Sequence, residues 1–261
     1  PIALTVEPAP NISTTPRIVY QEIRANGFNR QEVYNLYANP YTDPTVPGGR
    51  EPVVFDERQQ FLLLNKDIAD DTMILDNVIE WGFGGVQLTS VTGYIDREIL
   101  VSRDASALTG SVSVDLGFPD AGVLLPSNLV DTTDLQTFTQ ELRLASDNAG
   151  PFQWLIGGFY TDEKNQVDQL IDATSAGSVL ANLLTADLPI TYRETAVFAN
   201  GTFRFSERAD IQAGVRYGEN EQSLGYNVQG VLSGGDISIS GPSDESTVTW
   251  QLTPRFHFND D

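Results

Sequence analysis

Residues 135–167, LQTFTQELRLASDNAGPFQWLIGGFYTDEKNQV, constrain the fold more than any other stretch. Phe138, Gln140, Leu142 and Leu144 alternate with Thr137, Thr139, Glu141 and Arg143. Alternation of this kind belongs to a half-buried β-strand, not to a helix. Asp147-Asn148-Ala149-Gly150-Pro151 is dense in turn formers. The return strand opens on Phe152 and Trp154 and runs to Tyr160. Aromatic residues therefore crowd the turn, where a water-soluble hairpin usually becomes polar.

The arrangement recurs. Trp81 and Phe83 flank Gly84-Gly85, Phe203 and Phe205 lead into Ser206-Glu207-Arg208, and Phe256 and Phe258 lead into Asn259-Asp260-Asp261. Rings repeated at one height suit a membrane–water interface, where an amphipathic ring settles at headgroup level. Transmembrane β-barrels carry such girdles, with short turns at one end and long loops at the other. The other reading of the same rings is the core of a soluble β-sandwich.

Composition narrows the classes. The 261 residues suffice for one large β domain. With 15 Lys+Arg against 36 Asp+Glu the net charge is -21, which argues against nucleic acid as a partner. Cysteine is absent, so neither a disulfide framework nor a thiolate metal site is available. No apolar run is long enough for a membrane helix, and a barrel needs none. Pro1-Ile2-Ala3-Leu4 does not read as a signal peptide, so the chain is expected to be a fragment or processed piece.

Residues 1–70 read as a loop region with short helix and strand pieces, facing outward. Pro1, Pro8, Pro10 and Pro16 interrupt it, residues 28–37 suit a short helix, residues 40–52 a Pro/Gly-rich loop, and residues 61–64 a short strand or packed segment. Residues 71–261 read as barrel strands in hairpins. In the first, over residues 72–97, Met73, Leu75, Ile79 and Trp81 share a face that Asn77 interrupts. The clearest alternation comes last, over residues 209–217 and 247–258. Between hairpins, residues 98–133, 168–189 and 218–247 read as long connections, with one or two helical turns at residues 178–185. Residues 98–133, 161–189 and 218–247 together hold 15 acids and 2 bases. Charge on that side reads as a solvated surface, since a hard-cation site needs several converging oxygens.

Phe138-Thr139-Gln140-Glu141-Leu142-Arg143-Leu144-Ala145-Ser146 followed by Trp154-Leu155-Ile156-Gly157-Gly158-Phe159-Tyr160 closely resembles the barrel hairpin of TonB-dependent outer-membrane receptors. Leu88-Thr89-Ser90-Val91-Thr92-Gly93-Tyr94 is similar to that family too. So are Ala196-Val197-Phe198-Ala199-Asn200-Gly201-Thr202-Phe203 with Ala213-Gly214-Val215-Arg216-Tyr217, and Leu252-Thr253-Pro254-Arg255. The resemblance covers residues 72–258. It implies an all-β, antiparallel up-and-down transmembrane barrel segment, about seven strands of a barrel of about 22. It further implies energy-coupled uptake of a ferric siderophore, haem, cobalamin or an oligosaccharide across a Gram-negative outer membrane. The implied partners are outer-membrane lipid, the small ligand, and the TonB complex acting through a plug domain that this stretch lacks. A passive porin-like channel shares the same pattern.

No enzyme chemistry and no cofactor are expected. His257 is the lone histidine, too little for a triad or an imidazole metal cluster. Glu141 and Arg143 lie two apart on one strand face, both toward the lumen, and read as pairing with neighbouring-strand charges or the plug, not as an acid and base. Ligand contacts are expected from aromatic and Arg side chains of the outward region, namely Tyr20, Arg24, Tyr34, Tyr37, Tyr41 and Arg50, because such residues dominate binding hot spots.

Overall fold

The structure, a computed structural model, describes residues 1–27, 45, 51, 53–54, 56–57, 59, 62–64, 67–106, 109, 126–175 and 177–258. They form one antiparallel sheet of ten strands: β1 (Ile2–Ala3), β2 (Val6–Ala9), β3 (Ile12–Ala25), β4 (Asp67–Phe83), β5 (Val86–Asp104), β6 (Ser127–Ser146), β7 (Phe152–Ser175), β8 (Ser178–Ser206), β9 (Ala209–Gln229) and β10 (Ile237–Phe256). From β3 to β10 each strand pairs with the next in sequence; β1 and β2 both lie along the outer edge of β3.

The turns follow from local chemistry. Gly84 and Gly85, at φ 58° and 78°, supply the two left-handed residues of a two-residue hairpin loop. In the next turn Gly150 donates its backbone N–H to Asn148 Oδ1 (2.9 Å), and Gln153 Nε2 donates to the Asn148 carbonyl (2.7 Å). Glu207-Arg208 closes β8 onto β9. These three short turns lie at one end of the sheet, called here the turn end.

The opposite end differs from the sequence reading. Strands β7 and β8 run on through residues 168–189 and meet at Gly177, so the expected long connection and its helical turns are strand. β9 and β10 likewise consume most of residues 218–247, leaving residues 230–236 with one 3-10 turn, Val231–Ser233. β5 and β6 reach Asp104 and Ser127, shortening the connection expected over residues 98–133. The strand count is ten, not about seven. Residues 1–70 also contain more sheet than expected: β3 is a 14-residue strand paired along its whole length with β4. Of the remaining expectations for that region, the helix over residues 28–37 lies outside the described residues. Residues 62–64 are not strand; Leu63 and Leu64 donate backbone N–H groups to the Asp104 carboxylate.

Among the described residues no second layer covers the sheet. Among the described residues the buried apolar side chains are only Ala105, Ala173, Leu183, Ala186, Ala196 and Val228. The accessible surface is 16558 Å², whereas a compact monomer of 28.6 kDa exposes roughly 11,000 Å². A soluble β-sandwich would bury one face of each sheet against the other, so that reading fails.

Close cross-strand packing appears where a glycine faces an aromatic ring. Gly157 on β7 is the direct partner of Phe198 on β8, and the ring lies over it. A Cβ at Gly157 would meet that ring and would lie 2.7 Å from the Leu142 carbonyl oxygen. Gly157→Ala is therefore expected to destabilise by about 1–3 kcal/mol, as overpacking does. Phe198→Ala in the same chain should recover only part, because the Leu142 backbone stays in place. Urea titration of the single and double variants checks this.

Candidate functional site

The site is the sheet itself, whose two faces differ. Directly opposed residues in an antiparallel ladder lie on the same face, so the registers sort every side chain. One face, read across β4 to β10, carries the level Trp81, Leu88, Leu144, Ile156, Ala199, Val215 and Trp250. The same face holds Phe83, Phe152, Phe203 and Phe256 nearer the turn end. Three neighbouring aromatic pairs there touch, with centroids 4.7 Å apart for Trp81–Phe83, 5.0 Å for Phe203–Phe205 and 5.1 Å for Phe256–Phe258. These rings are exposed, Trp250 to 77% and Phe256 to 59%.

This aromatic face has a belt without charge. From the turn end up to the levels of Tyr94, Tyr160 and Tyr217, no Asp, Glu, Lys or Arg stands on it in β3 to β10. Charged residues are 20% of the sequence, and the opposite face at the same height has many, so the exclusion belongs to the face. The few polar groups in the belt satisfy one another. Thr92 Oγ1 donates to Gln140 Oε1 (2.6 Å), Gln140 Nε2 donates to Ser90 Oγ (3.0 Å), and Thr14 Oγ1 donates to Asn77 Oδ1 (2.9 Å).

The opposite, polar face is a lattice of ion pairs. Arg17 meets Asp76 at 2.7 Å, Arg216 meets Glu194 at 2.5 Å, and Arg97 meets Asp70 at 2.5 Å. Arg103 pairs with Asp131, and Arg143 with Glu141 on its own strand, not with the neighbouring-strand charge expected from sequence. Asp210 takes Arg255 at 2.6 Å and His257 at 3.0 Å, which gives the lone histidine a structural partner. The Arg216 guanidinium also lies 5.7 Å from the Phe159 ring centroid. Toward the far end, a 760 Å³ concavity includes Glu163, Tyr192, Asn220, Gln222, Ser243 and Glu245 in its lining, a polar set. Among the described residues no group of three His, Cys, Asp or Glu could hold a metal ion.

Of the six ligand-contact candidates, Tyr34, Tyr37, Tyr41 and Arg50 lie outside the described residues. Tyr20 and Arg24 both lie on the aromatic-face side of β3, opposite Met73 and Ala69, and not on the polar face. Tyr20 is 63% exposed. Arg24 stands beyond the belt and grips Asp71 with two hydrogen bonds of 2.7 Å. Those bonds hold the Asp71 carboxyl below its ordinary range.

No protein-family model matches the sequence. No curated protein matches it either. Among solved structures, the fold is similar to that of the ferric yersiniabactin uptake receptor FyuA from Yersinia pestis, with a TM-score of 0.67 and 14% sequence identity. The match covers 96% of this chain and 33% of that chain, so the sequence spans about a third of the receptor's length. At this identity the likeness is one of fold: an all-β, antiparallel up-and-down sheet of the outer-membrane barrel type.

Proposed function

We propose that this chain is a wall segment of a TonB-dependent receptor that takes up a scarce ligand, of the ferric siderophore class or one handled like it, across a Gram-negative outer membrane. The observation that carries the reading is a sheet uncovered among the described residues, with a charge-free aromatic belt on one face. Such a belt has no covering partner among the described residues, and bilayer hydrocarbon is the solvent that tolerates it. The ion-paired face then looks into the barrel lumen, where water or a plug domain meets it. Outer-membrane lipid is one partner, and the TonB complex, acting through a plug, is another. The likeness to a siderophore receptor supports the ligand class by analogy of fold.

The membrane face is tested by charge. Val215→Lys or Leu252→Lys, placed within the belt, is expected to cost about 2–4 kcal/mol of folding into lipid near the bilayer midplane. Thr253→Lys, on the polar face of the same strand, should cost far less. Folded fractions read by heat-modifiable migration after refolding into vesicles give the comparison. Equal tolerance at all three positions would refute the lipid-facing assignment.

Energy coupling is tested in cells. The gene carrying this segment, supplied as its complete reading frame, should restore growth of a receptor-deficient strain on iron-loaded siderophore. A protonophore should abolish accumulation of the labelled siderophore. Accumulation that persists with the protonophore would instead identify a passive channel.

A further inference from the structure

Among the described residues Tyr-x-Asp/Glu occurs once on the polar face, Tyr192-Arg193-Glu194 on β8, where the phenol donates to Glu194 at 3.0 Å, and on four alternate strands: Tyr20-Gln21-Glu22 on β3, Tyr94-Ile95-Asp96 on β5, Tyr160-Thr161-Asp162 on β7 and Tyr217-Gly218-Glu219 on β9. All four strands run from the turn end toward the far end, and all four tyrosines lie on the aromatic face. On β5 and β7 the phenol donates to the carboxylate two residues beyond, Tyr94 to Asp96 at 3.1 Å and Tyr160 to Asp162 at 3.3 Å. Tyr217 does the same to Glu219. At the fourth position Glu22 is engaged by Arg24 at 3.1 Å. Each of these tyrosines is thus the last ring before the first acid on its strand's aromatic face.

The registers show how the four are aligned. Tyr20 faces Met73 on β4 while Tyr94 faces Leu75, so the row steps two residues toward the turn end across two strands. Tyr94 faces Phe138 while Tyr160 faces Gln140, again two residues. Tyr160 faces Thr195 while Tyr217 faces Val197, a third identical step. One residue (~3.3 Å) per strand spacing (~4.8 Å) is an incline of roughly 35°. The aromatics at the turn end descend in parallel: Trp81 is level with Trp250, and six residues beyond it on β10 stands Phe256. Two parallel rows, both inclined by the angle at which barrel strands tilt, describe two planes normal to one axis. Along β7 the rows lie six to eight residues apart, from Tyr160 to Trp154 and Phe152. That is ~20–26 Å along the strand, or ~16–22 Å along the axis.

We infer that the row Tyr20, Tyr94, Tyr160 and Tyr217 marks the outer headgroup plane of the bilayer. The strands cross it at roughly 35°, and on β5, β7 and β9 the phenol is turned outward by the carboxylate beyond it. The inference rests on the membrane reading above and adds where the hydrocarbon ends.

The absence of cysteine in this segment suits a single-site label scan. Ile156, Tyr160 and Asp162 on β7, and Val215, Tyr217 and Glu219 on β9, are replaced one at a time by Cys in the full-length protein. Each variant carries a nitroxide and is reconstituted in phosphatidylcholine vesicles. Collision with oxygen and with a water-soluble nickel chelate is measured by electron paramagnetic resonance. Labels at 156 and 215 should favour oxygen, those at 162 and 219 nickel, with the crossover at 160 and at 217. A crossover displaced by four or more residues, or one lacking the two-residue step between the strands, overturns this inference and leaves the membrane reading intact. Nickel access at 156 and 215 as well overturns the membrane reading itself.

Discussion

Register is the constraint on which the rest depends. Side chains alternate with a period of two, so a one-residue slip in any ladder would move a whole strand's charges onto the aromatic face. From β3 through the β6–β7 ladder the pairing runs unbroken. Irregularities occur in other ladders, β2–β3 shifting between Val6 and Ala9. β7–β8 shifts near its tip, at 171–174, and β8–β9 shifts beside its turn, at 204–206. A further break in β8–β9 comes around Pro189, which has no N–H to give and whose ring presses on Gly225.

The polar face accepts what the aromatic face excludes. Its arginines are not a free positive surface, since each of those named is matched by a carboxylate on its own or an adjacent strand. Exposed pairs of this kind contribute little each, about 0–1 kcal/mol. Their larger effect is to leave that face nearly neutral within a strongly acidic chain. The acids without such partners concentrate toward the far end, beyond the belt.

The belt was legible in the sequence and the far end was not, for one physical reason. Within the belt the faces differ, so Phe138, Leu142 and Leu144 against Thr139, Glu141 and Arg143 announce both the strand and its orientation. Even the interruption at Asn77 is real; the registers set it beside Thr92, and Thr14 bonds to it. Beyond the belt both faces are polar, the contrast of period two vanishes, and acid-rich strands such as 218–229 read as loop. Strand β3 was hidden likewise, by Ser13, Thr14, Thr15 and Pro16. Once it was read as loop, Tyr20 and Arg24 looked like ligand contacts. The signal that could have placed Tyr20 is its repetition, as Tyr-x-acid, on β5, β7 and β9, the strands that run in the same direction as β3; the same pattern at Tyr192 on β8 lies on the polar face.

Strand β8 shows what such a wall means for motion. Its 29 residues run without a break from Ser178 at the far end to Ser206 beside the turn. In the membrane-wall reading, one element lives in two solvents. Ladder bonds near Val197 and Ala199 have no water to compete with them, and opening one there exposes bare amides to hydrocarbon. Those near Leu184 can exchange with water at little cost. The cooperative unit therefore ends partway along a strand and not at a loop. Slow and fast amide exchange would share one β-strand, and the far-end hairpin could open and reclose while the wall beneath it stayed shut.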